Sequence, residues 1–292
     1  MKVAHAEDSA QINSVRGAER EFKTLLTGDD TALDNFRLYF VRQKGEVDVP
    51  RHKHNFDQIR MCLEGEGQNY GERKWIKAGE LAYFPEGTPY GPERSNCERL
   101  SITLQFGGAS RNGFVSSARL QRAMDEMKEF GTFEKGIFKR VGQLAPGEKR
   151  NQDAYEAIWA HVNGRPLAYP KPRYPGPIMM DSADFSWVIT DAVGVAEKLL
   201  GIFTERRASA RFVRLAAEAT LEAAGRGIYV VCSGDGRVAD EPARRFTTLS
   251  LEHGETAAFT AGQDMELLHL GLPDLRGLAA QPEAFAPAEA AE

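Results

Sequence analysis

The sequence has 292 residues, of which 42% are hydrophobic and 27% are charged, and its formal net charge is −5. This length suggests one large or two medium domains, and this composition is typical of a soluble globular protein. The slightly acidic balance argues against a nucleic-acid-binding protein. The sequence has no apolar run of about 18 residues, so we expect no membrane span, and residues 1–11 lack the apolar core of a signal peptide.

Cysteine usage indicates a reducing compartment. The three cysteines, Cys62, Cys97 and Cys232, are odd in number and widely spaced, which is typical of free thiols in the cytoplasm. Because no two of them form a CxxC pair, a zinc knuckle and a dithiol redox motif are excluded. The sequence therefore predicts a cytoplasmic protein.

Short β-like runs separated by Gly and Pro begin at Phe36, after a polar N-terminal extension over residues 1–35. A short helix is expected inside this extension, near Ala18–Leu26. Runs of this length and spacing are typical of a β-sandwich or a β-barrel. We predict a first β-domain over residues 36–110. Its β-like runs are residues 36–43, 58–64, 74–84 and 99–106.

The pattern changes to helical periodicity in residues 111–185, which we predict to be a connector. Apolar residues recur at spacings of four and three in Ser116–Phe130, and Asp153–Val162 is predicted to be a second helix. Residues 167–177 carry four prolines, so this segment is expected to be extended. Its aromatic residues predict that it packs across a surface.

Short β-like runs return over residues 186–276 and show a weak internal repeat of the first half. Residues 61–67 (MCLEGEG) match residues 230–236 (VVCSGDG), and residues 77–87 (KAGELAYFPEG) match residues 252–262 (EHGETAAFTAG). The same order and a similar spacing indicate duplication of one β-domain.

Two histidines at positions i and i+2, His52 and His54, are the strongest candidate functional residues. On an extended segment their side chains point to the same side, so that both imidazoles can bind one divalent metal. The same parity directs Gln58 and Arg60 inward, whereas Asp57 has the opposite parity and is expected at the surface. Arg60 is either an inward cation that holds a carboxylate or enolate oxygen, or an outward ion pair after a local bulge.

These residues stand in a frame of glycines and a proline that resembles the two signatures of the cupin superfamily. The first signature is Gly, a short gap, His-x-His, Glu and Gly; the second is Gly, Pro-x-Gly and His. The matching positions are Gly45, His52, His54, Gln58 and Gly65, then Gly79, Pro85, Gly87 and Tyr90. The chain departs from the pattern because one extra residue precedes the first His, Gln58 replaces the acid and Tyr90 replaces the third His.

The resemblance implies an all-β-dominated fold with two cupin barrels, each a double-stranded β-helix of the jelly-roll type, joined by the helical and Pro-rich connector. It also implies a metal in the first barrel, with His52 and His54 as ligands, Gln58 as a weaker ligand and Tyr90 at the open fourth position. Fe(II) is the first expectation, and Mn, Ni, Zn and Cu are alternatives. Because Gln58 is uncharged, an anionic substrate would supply the charge that the acid provides in the family.

Tyr90 has three open roles. It is a metal ligand as a phenolate, a general acid or base as a phenol, or a residue that lines the pocket. The sequence also does not decide which residues of the next predicted strand, residues 99–106, face the barrel interior. Two sets of residues alternate there, the polar Ser101, Thr103 and Gln105 and the apolar Leu100, Ile102 and Leu104.

The second predicted domain carries no candidate site of its own. The positions that match the first-domain site are Leu221, Ala223 and Gly227, none of which can bind a metal. We therefore expect a degenerate cupin barrel that serves as a scaffold. The last residues, 277–292, are rich in Ala, Pro and Glu and are predicted to be disordered.

Three functions agree with these expectations. The first is a metal-dependent bicupin enzyme acting on a small organic molecule, above all a mononuclear-metal dioxygenase, with Tyr90 and Arg60 as catalytic residues. The second is an isomerase or lyase in which the metal is a Lewis acid and Tyr90 transfers protons. The third is a non-catalytic small-molecule-binding protein. We expect a small-molecule substrate and no nucleic-acid or membrane partner. The sequence does not decide between a monomer and a homodimer.

Overall fold

The structure, a computed structural model, describes residues 1–8, 11–13, 20–72, 74–134, 136–144 and 149–275. The predicted disordered tail therefore lies outside the described residues. Over this part of the chain the predicted all-β-dominated fold is confirmed, with 25 strands and two α-helices. Contacts divide the chain into two compact units, residues 2–186 and the residues from Trp187 onward.

Two sheets form the barrel of the first unit. Their strands are β2 (Gln11–Asn13), β3 (Arg20–Thr27), β4 (Phe36–Gln43), β5 (Val47–Val49), β6 (Asp57–Gly65), β7 (Gln68–Asn69), β8 (Trp75–Ile76), β9 (Glu80–Phe84), β10 (Glu93–Ser95) and β11 (Arg99–Phe106), with β15 below. Strand β1 (Lys2–His5) precedes them in the chain and belongs to neither sheet. The larger sheet has the order β15-β9-β6-β11-β4-β3-β2, and the smaller one has the order β5-β10-β7-β8. A cavity of about 370 Å³ lies between them.

Alternation along β11 shows which face of the larger sheet lines this cavity. Ser101, Thr103 and Gln105 line it, and the apolar set between them is buried on the opposite face. Of the two alternating sets on β11, the polar set therefore faces the cavity.

The predicted helix near Ala18–Leu26 is wrong over the residues that the structure describes. Arg20–Thr27 is strand β3 and pairs with β4 over nearly its whole length. Phe22 lies opposite Val41 in this ladder, and its ring packs 5.7 Å from that of Tyr39. Pairing with a buried neighbour therefore outweighs the local helix preference. The sheet also extends beyond the predicted limits of residues 36–110, because β2, β3 and β15 belong to it.

Two helices and a three-stranded sheet follow the barrel. They are α1 (Ser117–Met127), β12 (Gly131–Glu134), β13 (Ile137–Arg140), β14 (Asn151–Asp153) and α2 (Ala154–Asn163), and β15 (Ile178–Asp181) comes after them. Ser116 and Asp153 cap the two helices by accepting hydrogen bonds from backbone N–H groups, and Gly164 ends α2 in the left-handed region. Among the described helices, none is long and apolar enough to cross a membrane.

The Pro-rich segment, residues 167–177, packs against the loop before Tyr90, as its aromatic content predicts. The Thr88 hydroxyl donates a hydrogen bond to the Tyr174 carbonyl, 3.2 Å away. Gly87 has a φ of +73°, and a side chain there would collide with the Pro170 carbonyl oxygen. The glycine of the Pro-x-Gly motif is thus required by backbone conformation and by the close approach of this segment.

The second unit repeats the strand order of the first. Its strands are β16 (Val188–Ile189), β17 (Val195–Ile202), β18 (Ser209–Leu215), β19 (Thr220–Ala224), β20 (Gly227–Ser233), β21 (Gly236–Val238), β22 (Glu241–Ala243), β23 (Thr247–Leu251), β24 (Thr256–Ala261) and β25 (Met265–Gly271). Within it, the orders β23-β20-β25-β18-β17-β16 and β19-β24-β21-β22 correspond strand for strand to β9-β6-β11-β4-β3-β2 and β5-β10-β7-β8. This topology agrees with the duplication inferred from the sequence.

One of the two sequence matches nevertheless joins strands that are not equivalent. Residues 61–67 and 230–236 begin in equivalent strands, β6 and β20. Residues 77–87 enter β9 of the larger sheet, whereas residues 252–262 enter β24 of the smaller sheet; the strand equivalent to β9 is β23. A Gly-Glu turn before a short apolar strand occurs in both places, and this local similarity produced the wrong match.

Candidate active site

The two histidines lie in a seven-residue segment, residues 50–56, between β5 and β6. Backbone hydrogen bonds of 3.0 and 2.9 Å join His52 to Tyr90 in both directions and hold the two segments side by side. The imidazole rings of His52 and His54 lie 5.0 Å apart, centroid to centroid. Both rings thus point to the same side, as their spacing predicts.

The hydroxyl oxygen of Tyr90, Oη, is the point where the predicted site residues meet. His52 Nε2 lies 3.0 Å from it, His54 Nε2 2.9 Å, Gln58 Nε2 3.3 Å and Arg60 Nη2 2.8 Å. All five residues selected from the sequence therefore form one cluster.

The protonation of His52 follows from its second ring nitrogen. Its Nδ1 lies 2.8 Å from the carbonyl oxygen of Pro50, and a carbonyl can only accept. Nδ1 therefore carries a hydrogen, and in the neutral ring the nitrogen with the lone pair is Nε2, which faces Tyr90 Oη. Metal-binding histidines are usually oriented by this kind of hydrogen bond.

Arg60 points inward, so the alternative of an outward ion pair is wrong. Its Nη1 donates to Glu93 Oε1 at 2.9 Å, and its guanidinium lies 4.6 Å from the centre of the Phe84 ring. Glu93 also accepts from Arg20 and from Gln68, at 3.0 and 2.8 Å. Burial alone raises the pKa of Glu93, but the two arginines outweigh it and lower that pKa to about 2. The carboxylate is therefore ionised and compensates the charge of Arg60.

Tyr90 and Gln58 are oriented by the same cluster. Burial raises the pKa of Tyr90 well above its ordinary value, against the opposing effect of Arg60, so the side chain is a neutral phenol here. Gln58 Oε1 accepts from Arg60 Nη2 at 2.9 Å and from Gln105 Nε2 at 3.3 Å. The amide oxygen that the sequence offered as a weak ligand is therefore turned away from the histidines.

Three potential donor atoms, the two histidine Nε2 atoms and Tyr90 Oη, lie close enough together to share one divalent metal. Neighbouring ligands with bonds of about 2.1 Å at right angles lie about 3.0 Å apart, and both histidine Nε2 atoms lie at this distance from Tyr90 Oη. Among the described residues, no three His, Cys, Asp or Glu side chains are grouped closely enough to hold a metal. A metal would therefore depend on Tyr90, and with no carboxylate among its ligands it would keep at least one positive charge even if Tyr90 bound as a phenolate.

Two charged residues that the sequence reasoning missed also line the cavity. Glu93, three residues after Tyr90, is 3% exposed, and Arg99, at the start of β11, is 6% exposed. Arg99 shares the parity of Ser101, so extending the alternation of β11 by one step would have found it. The position of Glu93 gave no such signal, because β10 is only three residues long.

The prediction from strand parity that Asp57 lies at the surface is wrong. The residue is buried, and its Oδ1 accepts hydrogen bonds from the Tyr83 hydroxyl at 3.0 Å and from the Glu86 N–H at 2.8 Å. Parity correctly directs it away from the cavity, but that face of the sheet is buried too. Burial, reinforced by the neighbouring Glu86 carboxylate, raises the pKa of Asp57 from 3.8 to about 7.

The raised pKa of Asp57 predicts a pH-dependent stability. The folded state holds a proton that the unfolded state releases, so this residue reduces stability as the pH rises from 3.8 to about 7. We expect Asp57→Asn to melt a few °C higher relative to the wild type at a pH of about 8 than at about 5. Thermal unfolding at both pH values tests this, with the exposed Asp48→Asn as control. A difference in melting temperature that is equal at both pH values would contradict it.

The second unit has no counterpart of the histidine segment. Only residues 225 and 226 separate β19 from β20, where the first unit has residues 50–56 between β5 and β6. Leu221 and Ala223, the positions matched to the histidines, lie within β19. The site is thus missing because the backbone that would carry it is missing, and not only because the side chains differ.

His269 takes up space inside the second unit instead. Its Nδ1 accepts from Arg211 Nε at 3.1 Å, and a side chain at Gly227 would collide with its Nε2. Burial, together with Arg211, lowers the pKa of His269 to about 3, so the ring is neutral. Gly227, which matches Gln58, thus makes room for an imidazole that packs in the interior.

Two jelly-roll units of identical strand order, one of which presents a histidine pair to its cavity, define the bicupin form of the cupin fold. No family model matches the chain, and no curated protein matches it in sequence.

Solved cupin structures match nearly the whole chain. They include a protein from Nostoc punctiforme provisionally named a dioxygenase, with a TM-score of 0.60, 12% identity and coverage of 94% of this chain and 83% of that one. Bacillus subtilis oxalate decarboxylase has a TM-score of 0.55 and 15% identity, with coverage of 97% of this chain and 81% of that one. Streptomyces albus HEPD, solved with 2-hydroxyethylphosphonate and Fe(II) bound, has a TM-score of 0.56 and 12% identity, with coverage of 97% of this chain and 79% of that one. At these identities the likeness establishes the fold.

Proposed function

We propose that the first barrel is the active site of a metal-dependent enzyme acting on a small anionic organic molecule. The observation that carries this proposal is the convergence of His52, His54, Gln58 and Arg60 on Tyr90 Oη. His52, His54 and Tyr90 would hold the metal, and Gln58, whose amide nitrogen faces Tyr90 Oη, would be a weaker ligand only after its amide group turns over. The uncompensated charge of such a centre favours an anion.

The reaction class that we propose first is that of a mononuclear-metal dioxygenase, with Fe(II) as the metal. When bound, the metal supplies Lewis acidity and, as Fe(II), one-electron chemistry with O2. Arg60 would donate its remaining Nη1–H to a carboxylate or enolate oxygen of the substrate, because Glu93 and Gln58 already hold its guanidinium in place. The rings of Phe84 and Tyr70 also pack against that guanidinium, 4.6 and 5.1 Å from its central carbon.

Metal content and oxygen uptake test this proposal together. Protein purified without a histidine tag should contain close to one Fe(II) per chain and should consume O2 with β-diketones, flavonols or gentisate-like acids. Protein without stoichiometric metal would contradict the proposal. Stoichiometric binding without turnover would leave a small-molecule-binding protein.

A second candidate, an isomerase or lyase, is favoured by the proton on Tyr90. The phenol is neutral, and the His52 Nε2 lone pair that faces it is a proton acceptor. Tyr90 and His52 could then pass a proton to and from the substrate. Turnover of the same substrates under nitrogen would favour this function over the dioxygenase.

Tyr90→Phe separates the roles of the hydroxyl. We expect a loss of activity of about 10²–10⁴-fold, because the variant lacks the atom on which the cluster converges. Metal analysis of the same sample shows the reason: a parallel loss of metal identifies a ligand, and unchanged metal identifies an acid or base. Full activity would show that Tyr90 only lines the pocket.

Gln58→Glu restores the acid of the family pattern. We expect the variant to bind metal as tightly as the wild type or up to about tenfold more tightly, since a carboxylate adds negative charge beside the histidines. The ion pair that it forms with Arg60 limits the gain. A marked weakening, measured by competition with a chelator, would contradict a position of Gln58 beside the metal.

A further inference from the structure

Arg99 is a buried cation without an anionic partner. It is 6% exposed, and its Nε donates to Gln43 Oε1 at 2.9 Å while its Nη1 donates to Ser101 Oγ at 3.3 Å. Within the part of the chain that the structure describes, no carboxylate oxygen lies within 4.0 Å of it. Arg60, in contrast, is compensated by Glu93.

An arginine in this state is typical of a site whose counter-ion is a ligand. A buried charge is costly unless it is paired, and two hydrogen bonds to neutral side chains do not replace an anion. A guanidinium has five N–H groups, of which Arg99 uses two, so a face suited to two parallel hydrogen bonds remains. Glu46 and Asp48 also line the cavity, but both are exposed and neither is paired with Arg99.

Arg99 lies in the same cavity as the proposed active site. It begins the inward-facing row of β11 that continues through Ser101 and Thr103, and Thr103 lies opposite Arg60 on β6. The four residue-to-residue steps from Arg99 to Thr103 span about 13 Å along the strand. In the cavity of about 370 Å³, Arg99 thus begins a polar row on β11, and Arg60 lies beside Thr103 further along the same row.

We propose that the substrate is a small dianion. One anionic group would be bound at the histidine pair and Arg60, and the second, separated by a short carbon chain, would be bound by Arg99 through two hydrogen bonds. A carboxylate or a phosphonate has the required chemistry. This inference rests on the proposed function only in placing the substrate inside the first barrel.

Calorimetric titration with ligands of matched length tests the dianion site. The tag-free protein as purified is titrated with adipate, with hexanoate, which has the same number of carbons and one charge less, and with a carboxyalkyl phosphonate of similar length. We expect adipate, the phosphonate or both to bind at least tenfold more tightly than hexanoate. The stronger of the two dianions identifies the second group as a carboxylate or a phosphonate.

Three variants locate the effect. Arg99→Gln should remove the preference for the dianion, and Ser101→Asp should remove it too by placing a carboxylate beside Arg99. The exposed Arg94→Gln should keep it. Equal binding of dianions and hexanoate by the wild type, or a preference that survives in either Arg99→Gln or Ser101→Asp, would overturn the inference; Ser101→Asp decides if Arg99→Gln does not fold.

The outcomes also separate this inference from the proposed function. A preference that depends on Arg99 in protein that contains no metal would support the dianion site and refute the metal-dependent enzyme. Metal-containing, active protein without the preference would refute the dianion site alone.

Discussion

If the first barrel holds a metal as proposed, we expect replacement of either His52 or His54 with alanine to reduce the metal content from close to one ion per chain to a small fraction of that. Each variant leaves a single imidazole and one phenol, which is too few donors for a divalent ion. The fold should persist, because the two histidines lie in a segment between strands rather than within a sheet.

Elemental analysis of tag-free protein measures this loss, and thermal unfolding of the same samples checks the fold. His161→Ala is a matched control, because that histidine is exposed on α2 and pairs with Glu126 at 2.8 Å. Full metal content in both His52→Ala and His54→Ala would exclude the metal site described above.

Glu93→Gln is expected to lower the free energy of unfolding by roughly 3–5 kcal/mol, the usual effect of removing one partner from a buried ion pair. Glu93 is 3% exposed and is paired with both Arg20 and Arg60. Its lowered pKa, about 2 against an ordinary 4.5, means that the carboxylate stabilises the fold above pH 4.5 and that this contribution is lost as the pH falls towards 2.

Urea unfolding near neutral pH measures the effect of Glu93→Gln. Asp48→Asn is the control, since the Asp48–Arg94 pair is exposed and we expect a change of about 0–1 kcal/mol. A loss for Glu93→Gln that is no larger than the loss for this control would show that the buried pair contributes little. In that case contacts other than the ion pair with Glu93 would hold the Arg60 side chain in place.

The histidine pair could be placed from the sequence because its geometry is local. His52 and His54 are two residues apart, and the glycines and proline around them fix the turns on either side, so the cluster with Tyr90 followed from the pattern. Arg60 was left open between two faces, because a single bulge reverses strand parity.

Other features depend on which strands become neighbours, and no local pattern encodes that. Arg20–Thr27 is a strand because β4 lies beside it. Asp57 is buried although its parity is outward, since both faces of the larger sheet are covered in its central strands. The charge balance at Arg60 requires Glu93 from the opposite sheet, 33 residues further along the chain.

The lengths of two connections have a consequence for how function can change in this fold. Seven residues join β5 to β6 in the first unit, and two residues join the equivalent strands β19 and β20 in the second. Because the histidines stand on the longer connection, no series of single substitutions can install such a pair at the same place in the second unit. A histidine pair at this place would require an insertion, whereas a deletion within residues 50–56 would remove the pair from the first unit in one step.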